Sequence, residues 1–278
     1  MSVKIIVDST VDLTPEQRAQ MSAVVPLSVR FGDDEYKDGV TITAQKFYEM
    51  LIASEELPTT SQPTPAAFEE AYAEATADGS EVVVITIASK LSGTYQSATI
   101  AAEDFEGKVF VCDSRTAAIG SGVLAEYALR LAQRGMSGQQ ILDELIAVRK
   151  NICLYAIVDT LDYLKKGGRL SATVAAVGGL LNIKPLIYVD EAGEIKVHGM
   201  ARGMKKACAT LTELSVKSDI DYEKPIILGF TGTDPENLRK YMTDYAETWP
   251  ERTGTTIVGS AIGVHVGPGV VASAFFKK

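Results

Sequence analysis

The chain reads as α/β, with two α/β domains. The N-terminal one, residues 1–150, is built on a doubly wound, mostly parallel sheet, and the C-terminal one, residues 151–278, on a mixed sheet. Three observations predict this. The 278 residues are long for one hydrophobic core and comfortable for two of ordinary size. Through the first half, short apolar runs alternate with stretches that carry helix-start signals, the pattern of parallel strands covered on both faces. In the second half a hairpin signal, Glu191-Ala192-Gly193-Glu194, separates two strand-like runs. The boundary falls in the charged stretch before Cys153.

Taken in order, Val3 to Val7 is a strand that ends in Asp8-Ser9-Thr10. Thr14-Pro15-Glu16-Gln17 then starts a helix, with Thr at the N-cap, Pro at the first helical position and Gln in the capping-box position. Thr64-Pro65 opens another, whose Phe68, Ala71, Tyr72 and Ala75 share a face. The continuous apolar run Val82 to Ile87 predicts a strand buried on both sides, followed by a helix over Thr94 to Asp104. Val109 to Cys112 is a strand, and Ser137 with Gln140 forms a second capping box. Beyond the boundary, strands are expected at Cys153 to Val158, Lys184 to Val189 and Ile195 to His198, with helices over Met204 to Lys217 and Asp234 to Thr248. Asp234 reads as N-cap, with Pro235 at N1. Strands at Ile226 to Phe230, Thr256 to Gly259 and Val270 to Phe275 complete the mixed sheet.

Composition narrows the function. Hydrophobic residues at 46% and charged ones at 23% are globular proportions, and no apolar run approaches the roughly 20 residues of a membrane span. No stable membrane insertion is expected. The N-terminus passes straight into a strand, so no signal peptide is expected. The scattered Cys112, Cys153 and Cys208 suggest reduced thiols in a cytoplasmic protein, not a disulfide framework or a zinc site. A net charge of −9 disfavours nucleic acid and favours a small-molecule or protein partner. No metal and no cofactor is expected.

In open α/β sheets, ligands bind beyond the carboxyl ends of the strands. Four hydroxyl-rich segments are candidates there: Asp8-Ser9-Thr10, Thr59 to Thr64, Ser89 to Tyr95, and Asp113 to Thr116. Hydroxyls and free N–H groups at a helix start suit a carboxylate or phosphate. The third is the sharpest, since Gly93 lets a ligand approach the backbone and Ser92 sits where a helix begins. On residue chemistry alone an N-cap role for Ser92 outweighs ligand binding, and more so for Thr64. Asp8 and Asp113 could hold a metal, but Asp beside Ser after a strand is more often turn chemistry. His198 reads as a strand residue. His265 falls in Gly263-Val264-His265-Val266-Gly267-Pro268-Gly269, read as an irregular loop, where a functional role and a purely structural one balance. Gly167 suits a helix C-cap, with Lys165 and Lys166 in the last turn. Arg169 and Arg202 are solvated surface arginines by default.

These segments, in this order and spacing, resemble the DegV family: Asp8-Ser9-Thr10, Tyr36-Lys37-Asp38-Gly39, Thr60-Ser61-Gln62-Pro63, Leu91 to Tyr95, Leu161 to Arg169, Leu181 to Pro185 and His265 to Gly269. The likeness runs from about residue 4 to about 275. It implies two α/β domains with one long-chain fatty acid between them, and no catalytic residue of the chain's own. Members with a role present the lipid to a separate ATP-dependent kinase subunit, which phosphorylates the carboxylate, and the acyl phosphate feeds phospholipid synthesis. Carried over, the resemblance implies carboxylate contacts from Ser61 or its neighbour Thr60, from Ser92 and Gly93, and from His265. It also implies that Arg169 and Arg202 face the kinase or serve phosphoryl transfer.

The physics agrees. A buried carboxylate needs hydrogen bonds, which two hydroxyls, a backbone N–H and an imidazole supply, and each buried CH₂ of the tail adds about 0.8 kcal/mol. For the tail, Val174, Val177, Leu180, Leu181 and Ile262 are candidates, with ordinary core as the commoner alternative for each. Two other classes stay open. One is an esterase or acyl-phosphate hydrolase using Ser92 or Ser61 with His265, although neither serine lies in a GxSxG elbow. The other is a binder of a small carbonyl sugar through a histidine, as in the distantly similar dihydroxyacetone kinase substrate domain.

Overall fold

The computed structural model describes residues 2–170 and 182–278. The first half contains β1 (Val3–Asp8), α1 (Pro15–Arg18), β2 (Ala23–Val25), β3 (Ser28–Phe31), β4 (Asp34–Lys37), α2 (Ala44–Ala53), β5 (Thr59–Ser61), α3 (Pro65–Thr76), β6 (Glu81–Thr86), α4 (Thr94–Ala102), β7 (Val109–Asp113), α5 (Ala118–Gln133) and α6 (Gly138–Val148). The second contains β8 (Ile152–Ile157), α7 (Asp162–Lys166), β9 (Ile183–Val189), β10 (Ile195–Arg202), α8 (Met204–Lys217), β11 (Ile226–Phe230), α9 (Glu236–Asp244), β12 (Gly254–Ile257), α10 (Ser260–Val266) and β13 (Val271–Phe276).

The first sheet is parallel throughout, in the order β2-β1-β6-β7. Its side chains alternate between two apolar layers, as the period-2 geometry of a strand requires. Ile6, Val82 and Val84 pack on Phe68 and Tyr72 of α3 and Ala98 of α4. Ile5, Val7, Val83 and Ile85 face the other way, into a core that includes Val123 and Leu124 of α5 and Ile141 of α6. Both faces are covered, which is why β6 reads as an unbroken apolar run.

The second sheet has the order β10-β9-β8-β13-β11-β12, antiparallel except between β11 and β12. Ile157, Leu228 and Phe275 face Leu211 of α8 and Leu238 of α9. Leu154, Ile227, Ala274 and Phe276 join the layer that holds α5. That helix therefore lies between the two sheets. Small residues let it fit there: a Cβ on Gly122 would come within 2.1 Å of the Asp12 carbonyl oxygen.

The α/β class, the parallel first sheet and the mixed second sheet are as expected. Both capping boxes form, Thr14 with Gln17 and Ser137 with Gln140. Other details differ. Strand β10 runs past His198 to Arg202 through a register shift between Val197 and Gly199. Helix α9 starts one residue later than expected, with Pro235 and not Asp234 at the N-cap, because the Asp234 carboxylate accepts from the Glu236 N–H in a turn, and it ends at Asp244. A third sheet, antiparallel in the order β4-β3-β5, incorporates Thr59–Ser61, which reads in sequence as loop. Its strands are short and largely polar, so they carry too little periodicity to register.

Candidate functional site

A cavity opens where α5, the inner face of the second sheet and α10 meet. Its empty volume is about 860 Å³, open mouth included. Most of the lining is apolar, including Ile119 of α5, Leu154 and Ala156 of β8, Ile187 of β9 and Ala272 of β13. Among the described residues, the few polar side chains that join it include Thr10, Thr60, Ser92, Arg169, Thr231 and His265. The walls thus come from both halves of the chain.

His265 corrects the sequence expectation of an irregular loop, since it occupies the last turn of α10. Only Gly267 and Gly269, with φ of +72° and +84°, form the turn beyond it. Gly263, Gly267, Pro268 and Gly269 made the segment look irregular. In fact Gly263 lets the helix lie flush on α2, where a Cβ would fall 2.5 Å from the Phe47 ring and 2.7 Å from the Tyr48 hydroxyl. The imidazole Nε2 lies 3.0 Å from the Thr60 hydroxyl. Among the described residues Nδ1 is buried without a partner. The ring rests on the backbone of Gly167, where a Cβ would come within 2.3 Å of Nδ1. Burial, and then the positive charge of Arg169, push the imidazole down to about 4. It is therefore neutral at physiological pH.

Strand geometry separates Thr60 from Ser61. Thr60 pairs with Val29 and Ser61 with Ser28, so their side chains leave opposite faces of the small sheet. Thr60 turns to His265 and the cavity; Ser61 is exposed and does not line it. Ser92 does line the cavity, and its hydroxyl also accepts from the Thr94 N–H and lies 2.9 Å from the Thr94 hydroxyl. The N-cap of α4 is Gly93, not Ser92. Gly93 is small for a neighbour: a Cβ there would fall 2.1 Å from the Gln62 side-chain oxygen, and Gln62 donates to the Gly93 carbonyl and the Ser97 hydroxyl.

Arg169 also lines the cavity, held by bonds from its guanidinium to the carbonyls of Leu91 and Gly167. Arg202 stands apart, exposed at the end of β10 and paired in register with Ile183. Ile262 is part of the lining, while Val174, Val177, Leu180 and Leu181 lie outside the described residues.

Asp8 and Asp113 are the last residues of β1 and β7, and their carboxylates organise the loops that follow. The buried Asp8 carboxylate accepts from the N–H groups of Thr10 and Ile87 and from the Thr10 hydroxyl, which fixes Thr10 at the cavity wall. Burial pushes Asp8 up to about 6 against these bonds. Asp113 accepts from Ser89 and Arg115, tying two of the hydroxyl-rich segments together. Among the described residues no cluster of three or more His, Cys, Asp or Glu could hold a metal. A serine triad is not assembled either: Nε2 faces Thr60, and Nδ1 has no carboxylate among the described residues. Sequence reasoning missed Thr10 and Thr231 as individual wall residues, along with the apolar wall positions of α5, β8 and β13. Alternation along a buried strand gives no sign of which face meets a cavity.

Fold and site together define a two-domain α/β protein with an apolar cavity ringed at one end by hydroxyls, an arginine and a neutral histidine. The family profile described as "Uncharacterised protein, DegV family" matches residues 2–278. The chain belongs to the DegV family. A DegV domain-containing protein of Deinococcus radiodurans is 38% identical over 99% of this chain and 98% of its own. Among solved structures, a fatty-acid-binding DegV family protein from Thermus thermophilus superposes with a TM-score of 0.89 at 31% identity, covering 100% of both chains. A DegV lipid binding protein from Thermotoga maritima gives 0.88 at 27%, again over 100% of both. No described helix is long and apolar enough to cross a membrane.

Proposed function

We propose that this protein binds one long-chain fatty acid, its carboxylate at the polar end of the cavity and its tail along the apolar walls. The observation that carries this is the Thr60–His265 pair at the polar end of a cavity whose walls are mostly apolar. A fatty acid needs that combination, a few donors for one anion and a long surface that removes CH₂ groups from water. The Thr60 and Ser92 hydroxyls and the Arg169 guanidinium supply donors, and the neutral imidazole supplies one N–H without the cost of a buried positive charge. Arg169 balances the carboxylate, so no net charge is left buried. Binding of fatty acid by the Thermus relative supports the reading.

The finer proposal is that the chain carries no chemistry of its own and presents the bound acid to a separate ATP-dependent kinase subunit in the cytoplasm, with the exposed Arg202 on the docking face. The division into domains at residue 150 is part of the same reading. It accords with the second sheet drawing all its strands from Ile152 onward. The experiment is native mass spectrometry of purified protein, then denaturation and analysis of what is released. About one non-covalent fatty acid per chain is expected. Protein that arrives empty and takes up neither palmitate nor oleate refutes the proposal, an acyl-serine adduct supports the hydrolase, and a triose on histidine supports the sugar binder.

A further inference from the structure

We propose that Asp38, supported by Asp12, is a positioning residue for the head-group site, clamping the start of α10 so that His265 meets Thr60. The inference rests on the reading of His265 as part of that site, and it gives a role to the Tyr36-Lys37-Asp38-Gly39 segment, which fatty-acid binding itself does not use.

An ordinary helix start is capped by the side chain just before it. Here that residue is Gly259, which has none. The free N–H groups go instead to carboxylates from the first half of the chain. Gly259 N–H donates to Asp12 at 2.7 Å, Ser260 N–H to one Asp38 oxygen at 2.9 Å, and Ala261 N–H to the other at 3.3 Å. Three consecutive donors are thus held by two acids that are 3% and 6% exposed. Burying two like charges side by side is a costly way to cap a helix. Burial, with the repulsion between them contributing, raises Asp12, and burial raises Asp38; Arg18 works against this at Asp12. A local Ser or Asp would satisfy the same N–H groups at less cost. What it would not do is fix α10 against the half of the chain that carries Thr60.

The lever is short. His265 lies five residues beyond Ser260, about 7.5 Å along the axis, so a shift at the first turn reaches the ring almost undamped. Gly263, flush on Phe47 and Tyr48, blocks rotation toward α2, and Tyr48 donates to the Val258 carbonyl at 2.9 Å just before the helix. With these contacts in place, the two carboxylates set the depth and turn of the helix.

The test uses the full chain with Asp38→Ala and Asp38→Asn, and Leu238→Ala as a matched destabilising control in the core beyond the other face of the second sheet. Three quantities are read: oleate affinity, thermal midpoint, and the titration of the imidazole in lipid-free protein by NMR. The chain has two histidines and His198 is exposed, so the two signals are separable. Asp38→Ala is expected to weaken oleate about tenfold, the factor one lost hydrogen bond brings. It should also move the His265 midpoint from about 4 back toward 6.5 as the ring leaves its pocket. Asp38→Asn, which keeps one acceptor oxygen, should recover part of both. Leu238→Ala should lower the thermal midpoint and leave the other two readings alone. If Asp38→Ala lowers only the thermal midpoint, the carboxylate is a structural cap and the proposal falls; if that variant does not fold, Asp38→Asn decides on the same readings. Wild-type protein that takes up no oleate overturns the fatty-acid reading, and the His265 midpoint then still decides the clamp.

Discussion

Gly167→Ala sets two opposite effects against each other. Gly167 has φ −73° and ψ −8°, right-handed helical values that alanine adopts freely. At an open position of this kind the change stabilises by about 0.4–1 kcal/mol, because the unfolded chain loses freedom. Here the new Cβ would lie 2.3 Å from His265 Nδ1, 3.1 Å from Cε1 and 3.0 Å from the Tyr163 carbonyl. Ordinary contact distances begin near 3.5 Å, so the imidazole must retreat by about 1 Å. If it does so along the line from Thr60, the 3.0 Å bond opens to about 4 Å, beyond hydrogen-bond range. Two polar atoms lose their partner, at about 1–3 kcal/mol, which outweighs the entropic gain. The variant should therefore be about 1 kcal/mol less stable in urea, and displacement of a fluorescent fatty acid should show oleate binding weakened about tenfold. Gly168→Ala is the control. Its φ is +69° with nothing within 4 Å, so alanine there strains the backbone by roughly 1–2 kcal/mol without touching the ring. A Gly167→Ala protein that is more stable than wild type and binds oleate normally would refute the reasoning.

Thr60→Val should weaken fatty-acid binding by about 1–2 kcal/mol while Ser61→Ala leaves it unchanged, read by calorimetric titration; equal losses would mean that the strand does not separate the two side chains as described. Histidine lowered to about 4 contributes stability that is complete above its unfolded value of 6.5 and is lost as pH falls toward 4, up to about 3 kcal/mol. Asp8, raised to about 6, acts in the opposite direction, its contribution present in acid and lost as pH rises through 6. His265→Gln should therefore gain stability relative to wild type between pH 7 and pH 5 in urea titrations, and an unchanged pH slope would show that the ring is not buried neutral. Arg169→Ala should raise the His265 midpoint and weaken fatty-acid binding, whereas Arg202→Ala should leave binding intact and lower acyl-phosphate output with a cognate kinase. Loss of binding in Arg202→Ala would contradict its exposed position on β10.

Local chemistry made much of the fold legible. Thr14 with Gln17 and Ser137 with Gln140 announced their helices because a capping box is specified within four residues. The run Val82 to Ile87 announced a doubly covered strand because both its faces are apolar. The small sheet was not legible, since Thr59–Ser61 is held by pairing with a strand some thirty residues earlier and not by its own pattern. Helix α10 was hidden for a related reason, because its caps sit at Asp12 and Asp38, far away in sequence. The site followed the same division. The resemblance pointed to the Thr60–Ser61 pair, Ser92 and His265, but only strand parity distinguished Thr60 from Ser61. The role of Gly167 needed the ring of a residue almost a hundred positions later to be set in place.

Helix α5, lodged between the sheets, bears on how the molecule comes apart. Val123 and Leu124 belong to one continuous apolar layer with Val83 and Ile85 of the first sheet and with Leu154 and Ile227 of the second. Two domains joined by a linker would melt one after the other. Here neither sheet can lose its partner without stripping its own inner face, so the halves form a single cooperative unit. Calorimetry should show one endotherm, with calorimetric and van't Hoff enthalpies in agreement. A cargo seated in that same layer would shift the whole transition upward by mass action, not one part of it.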